Sequence, residues 1–261
     1  MGVGVHIVFD QVLATYLLVV ARLAGVVVTA PVLASSFVPR LAKVGLAVIL
    51  AAALTASLPP VAVANLLALA LGLVLQFVVG LLMGLVLALF LAAFSMAGQL
   101  VTYQLGVGLA VAANPGLLSA GSFLAEWETL LATFVFVVSG GLELTAEALR
   151  ASFVALPLTA GGLPVGGLPF VVGLFGTVVN IALLVGAPFL ATGVVVDLAV
   201  GVLARAVPQL NAYFLALPVN FGLSLLVLAA VLPLWLQIVP TVWHHAFEAL
   251  SHLLALWEVR P

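Results

Sequence analysis

Residues 61–97 form one uncharged, almost wholly apolar run. Written as an α-helix at 1.5 Å per residue, that run would extend about 55 Å, nearly twice the ~30 Å hydrocarbon core of a bilayer. It is not isolated. The chain is 66% hydrophobic and 5% charged, and its mean hydropathy is +1.47. A soluble domain carries roughly a quarter charged residues. Six Lys or Arg and eight Asp or Glu cannot cover a water-facing surface without leaving large apolar patches. The chain is expected to be an integral membrane protein.

The apolar stretches are continuous and do not alternate with period two, which favours helices over a barrel. They are expected over residues 11–38, 41–58, 61–97, 123–157, 168–204 and 210–250. The fold class expected is all-α, with about six long, partly kinked hydrophobic helices arranged as hairpins in a single membrane domain. Breaks are placed at Pro39-Arg40, Ser57-Leu58-Pro59-Pro60, Gly98 to Ser122, Gly161 to Gly167, and Arg205 to Pro208. Pro and Gly are turn chemistry at such places. Pro188 should bend the fifth span, and Pro218, Pro233 and Pro240 interrupt the sixth. Overlong or broken helices need protein around their freed carbonyls, which points to a larger assembly. The residues Met1 to Asp10 lack a basic n-region, so the first apolar stretch is expected to be a retained span. Arg40, Lys43 and Arg205 against Arg150 and Arg260 leave the sidedness of the termini open.

Several functions are disfavoured by composition. A formal net charge of -2 without basic runs is unsuited to nucleic acid. With no cysteine there are no disulfides and no thiolate chemistry. Neither a P-loop nor a dinucleotide-binding fingerprint occurs. No catalytic, cofactor-binding or metal-binding residue is expected, and no cofactor.

The few polar residues each carry two readings. Glu126 and Glu128 are two apart, on different faces near a helix start. They either complement the helix dipole or make a proton or ion site. Glu143, Glu147 and Arg150 recur at i, i+4 and i+7, an interfacial or locally paired cluster. His244, Glu248 and His252 share one helix face beside His245, between Trp243 and Trp257. That pattern suits an interfacial helix, or a metal site that still lacks a fourth ligand. Arg22 and Asp197 lie within apolar spans, where an unpaired charge costs at least ~3 kcal/mol; each needs a partner, and functional and structural roles weigh equally. Gly80 and Gly84 form a small-xxx-small pattern that lets helix backbones approach.

The segment Gly98 to Ser122 is apolar, uncharged and rich in glycine and amides. It suits either a connection folded back into protein or a pore mouth, or an amphipathic surface stretch.

These residues carry a resemblance. Val20-Ala21-Arg22-Leu23-Ala24-Gly25, Ala30-Pro31 and Val38-Pro39-Arg40 look like the opening of the FliR family of flagellar type III export gate proteins. Gly80, Gly84, Gly98-Gln99, Gln104-Leu105-Gly106, Asn114-Pro115 and Ser152-Phe153 with Pro157 follow in that family's order. The sharpest match runs from Gly201 through Arg205, Pro208, Gln209 and Asn211 to Phe214, with Pro218 and Gly222 beyond it. The resemblance covers nearly the whole chain. Gln76 stands where the family commonly has an acid, Asn114 where Asp precedes the proline, and Ser139-Gly140-Gly141 where Asn-Gly-His is typical.

The resemblance implies a non-enzymatic subunit of the export gate in the bacterial inner membrane, at the flagellar basal body. Residues 1–160 would form a FliP-like portion, with a plug loop at about 99–122, and residues 168–250 a FliQ-like hairpin. The implied partners are FliP-like and FliQ-like subunits, FlhA-like and FlhB-like export components, unfolded exported proteins and membrane lipid. Gln104, Gly106, Gly108, Asn114, Pro115 and Gly116 would belong to the plug. Arg22, Gln76, Asp197, Arg205, Gln209 and Asn211 would be buried polar residues, and Gly80 and Gly84 would pack helices. The alternatives are an injectisome homologue and, from another class, a stand-alone small-molecule transporter with a midplane site.

Overall fold

A computed structural model describes residues 11–34, 39–104, 123–159, 166–206 and 212–257. Every regular element among them is an α-helix: α1 (Gln11–Thr29), α2 (Pro31–Ala34), α3 (Arg40–Thr55), α4 (Leu66–Gln104), α5 (Phe123–Val138), α6 (Gly141–Ala155), α7 (Gly167–Ala206) and α8 (Ala212–Trp257). The chain is an all-α membrane protein. Among the described residues, four helices are long and apolar enough to cross a bilayer: Gln11–Thr29, Leu66–Gln104, Gly167–Ala206 and Pro218–Trp257. A fifth crossing arises if Glu126–Val138 and Gly141–Ala155, bent by 69°, form one broken span.

The helices depart from the sequence expectation in three places, each for a local reason. α3 has 16 residues, about 24 Å of helix, short of the expected second crossing. It is held between Pro39 at its N-cap and a tight turn in which the Ser57 and Leu58 amides donate to Leu54 O and Thr55 O, ahead of Pro59-Pro60. The stretch 123–157 is two helices because Gly140 takes φ 77°, a left-handed value that ends a helix. The expected break at Gly98 is absent. α4 runs on to Gln104 because Ala97, Gly98, Val101 and Thr102 are buried, and Thr102 Oγ1 donates to Gly98 O at 2.7 Å. A helical glycine costs only about 1 kcal/mol, which that packing outweighs. α4 itself begins at Leu66, where Asn65 Oδ1 accepts from the Ala68 amide at 2.8 Å, a side-chain cap. α7 is assigned continuously through Pro188, and α8 through Pro218, Pro233 and Pro240.

The chain gathers into two compact units, with α4, α7 and α8 contributing to both. The first holds residues 1–89, 141–174 and 245–261. Its α1 and α4 lie backbone to backbone. A Cβ on Gly25 would come 2.6 Å from the Leu81 nitrogen, one on Gly84 3.0 Å from the Ala30 nitrogen, and one on Gly80 would collide with the Arg22 carbonyl. Ala14, Leu18, Val61 and Leu69 form an apolar cluster beside this seam. Thr15 Oγ1 donates to Gln11 O at 2.7 Å and accepts from the Val61 amide at 2.8 Å, tying the segment before α4 to α1. At the other end of the chain, the Phe170 and His252 rings stack at 5.2 Å.

The second unit holds residues 90–140 and 175–244. Phe90, Phe94, Ala97 and Val101 of α4 are buried there, with Phe189 of α7 and Trp235, Val239 and Trp243 of α8. Phe136 packs on Trp243 with ring centroids 4.4 Å apart, and the Trp243 indole N–H donates to Ala132 O at 3.1 Å. Phe189 lies 5.9 Å from Trp235. Leu100 Cδ1 would stand 3.2 Å from a Cβ on Gly186, so that glycine seats α4 on α7.

Candidate functional site

The largest fully buried side chain among the described residues is Arg22, on α1 in the first unit. An apolar helix tolerates a guanidinium only if each part of it is met. Its Nε donates to Gln76 Oε1 at 2.7 Å, one terminal nitrogen to Ser152 Oγ at 3.1 Å, and the other to Leu156 O at 2.7 Å. The face of the group lies 4.2 Å above the Phe153 ring centroid, a favourable place for a cation. Ser152 Oγ in turn donates to Leu149 O at 2.6 Å. One side chain therefore pins α1, α4, α6 and the residue that follows α6.

All three acceptors are neutral. Gln76 Oε1 serves the cation while its Nε2 is buried without a partner. The glycine seam delivers the geometry, since Gly80, one turn beyond Gln76, brings α4 against the Arg22 backbone. Arg22 and Gln76 are thus brought together, and Gly80 and Gly84 pack α4 on α1. Ser152, Phe153 and Leu156 complete the cluster. No chain-local signal joins them to Arg22, because they lie 130 or more residues away.

Other expected site residues are placed differently. Asp197 and Arg205 are exposed on α7, and neither hydrogen-bonds to a described residue. Within the single chain both point off the face of α7 that packs Val185, Phe189 and Val196 inward, so the chain itself does not supply the burial expected of them. Gln104 ends α4 with its amide over Gly193 of α7, where a Cβ would require that flexible amide to move aside. Gly106, Gly108, Asn114, Pro115, Gly116, Gln209 and Asn211 lie outside the described residues.

The carboxylates and histidines also sort themselves. Glu126 is exposed in the first turn of α5, whereas Glu128 turns inward and is 2% exposed. Glu143, Glu147 and Arg150 are exposed on α6, and no ion pair between Glu147 and Arg150 forms, so of the two readings of this cluster local pairing is not the one met. Glu248 Oε2 meets His245 Nδ1 at 3.0 Å. Among the described residues no three His, Asp or Glu side chains are placed to hold a metal ion.

A family model described as "Bacterial export proteins, family 1" matches residues 13–246, which includes Arg22, Gln76, Ser152 and the three glycines of the seam. The chain belongs to this family, the FliR family. It is 28% identical to the flagellar biosynthetic protein FliR of Escherichia coli (strain K12) over 238 residues, 90% of this chain and 88% of the relative. It is 26% identical to FliR of Bacillus subtilis (strain 168) over 164 residues, 62% of this chain and 63% of that one. FliR of Aquifex aeolicus (strain VF5) matches at 26% over 139 residues, 53% and 54% of the two chains. The Arg22 cluster lies within the matched region and gathers three neutral acceptors around one cation.

Proposed function

We propose that the chain is a non-enzymatic subunit of the flagellar type III protein export gate in the bacterial inner membrane, helping to form and plug the channel through which unfolded flagellar proteins leave. The observation that carries this reading is the family match over residues 13–246. The relatives' printed name, flagellar biosynthetic protein, favours a flagellar over an injectisome setting. Apolar residues left exposed along α3, α7 and α8, such as Leu41, Val44, Ile49, Leu184, Val195 and Leu226, supply surface for lipid and for neighbouring subunits. FliP-like and FliQ-like chains are the proposed neighbours, with FlhA-like and FlhB-like components beside them. The uncharged segment 105–122 is proposed as the plug.

The test is genetic and biochemical together. The chain, produced in a flagellated bacterium lacking its own FliR but supplied with the matching FliP-like and FliQ-like chains, should restore swimming and co-purify with both. Purification as a lone chain that restores nothing would overturn the reading.

A further inference from the structure

Glu128 is a carboxyl group enclosed in the second unit with nothing to receive its charge. It is 2% exposed, and neither oxygen has a hydrogen-bond partner. It precedes Ala132 by one turn and Phe136 by two, so all three share one face of α5. That face is covered by α8, through the Trp243 indole on Ala132 O at 3.1 Å and its ring 4.4 Å from Phe136. The other titratable or charged side chains described in this unit are Tyr103 on α4, Glu126 on α5, Asp197 and Arg205 on α7, and His244 on α8. All five are exposed. No buried cation is present among them to neutralise Glu128. An ionised carboxylate without donors in apolar surroundings is far costlier than the neutral acid.

We infer that Glu128 is a proton-binding site: its carboxyl is held as the neutral acid in the folded protein at neutral pH. It releases the proton to water, the O–H electron pair staying on the carboxylate, only when α5 and α8 part enough to admit solvent. The ligand is the proton itself, and Trp243 is the residue that keeps the site closed. The inference stands on the geometry of one unit and does not depend on the export reading.

Infrared spectroscopy of the full-length chain in lipid nanodiscs tests it. The carbonyl stretch of a protonated carboxyl should be present at pH 7 in the wild type and in Glu126→Gln, and absent from Glu128→Gln. Trp243→Phe, which deletes the indole donor, should bring the band into titration between pH 5 and 8. If Glu128→Gln does not fold, Glu128→Asp replaces it and must shift the band. A wild type without the band at pH 7, a band that survives Glu128→Gln, or one unshifted in Glu128→Asp overturns the assignment. So does its loss when the chain is measured in the co-purified complex, since a neighbouring subunit would then be supplying a donor.

Discussion

Arg22 on α1 donates through Nε to Gln76 on α4 at 2.7 Å, across 54 residues of chain. The acceptor is an amide where an acid would match the charge. The guanidinium is therefore hydrogen-bonded through each of its three nitrogens yet not neutralised by any of its three acceptors. Removing one partner of a buried charged group leaves the other's desolvation uncompensated.

Gln76→Met should accordingly lower stability by about 1–3 kcal/mol, read as a fall in the melting temperature of the purified protein. Gln76→Glu should melt at or above the wild type, because the cost of burying Arg22 is already incurred and a charge-assisted bond is roughly twice as strong as a neutral one. A Gln76→Glu protein that melts below Gln76→Met would show that the added carboxylate's desolvation dominates.

The glycine seam predicts a sharp contrast among glycines of similar helical setting. Gly80→Val and Gly25→Val force β-branched side chains into backbone atoms of the opposing helix. Overpacking of this kind costs typically about 1–3 kcal/mol and often more where backbone must move. Gly176→Ala and Gly201→Ala on α7 meet nothing within 4 Å and should be neutral, or stabilising by up to about 1 kcal/mol through helix propensity. Expression level and melting temperature of the four variants give the comparison.

The turn between α5 and α6 depends on Gly140 at φ 77°. A β-branched residue there carries a steric cost of about 1–2 kcal/mol. Gly140→Val should lower the melting temperature, while Ser139→Ala, at an exposed position before the turn, should not. Equal melting of the two would show that the turn tolerates a right-handed residue.

The proposed plug makes a functional prediction. Deleting Leu105 to Ala113 from the chain, in the assembled complex, should raise ion conductance in planar bilayers or in cells while leaving co-purification intact. Unchanged conductance would remove the plug role from this segment.

What the sequence disclosed was set by the range over which its signals act. Membrane class and helical architecture were legible because 61–97 is apolar whichever way it is turned, and the breaks near Pro39, Pro59-Pro60 and Gly166-Gly167 are local turn chemistry. The small-xxx-small spacing of Gly80 and Gly84 announced close packing, and Arg22 announced a need for partners. Which partners was hidden, because Ser152 and Leu156 meet it only after three helices have packed. The run-on of α4 past Gly98 was missed for the opposite reason: composition marks glycine as a breaker, whereas burial of Ala97 and Val101 decides the outcome. Glu126 and Glu128 were legible as lying on different faces, but not which of the two would be the buried one. The helix turns each residue by about 100°, so one faces out and its near neighbour faces in.

The seam between α1 and α4 also bears on mechanics. Three glycines set into opposing backbone, with a guanidinium bolted across them, fix the vertical register of the two helices like teeth in a rack. A slide of either helix along the other would drive a carbonyl into a side chain before it had travelled one residue's rise. Any rearrangement of the chain must carry these two rods together, and its compliance has to reside in other joints.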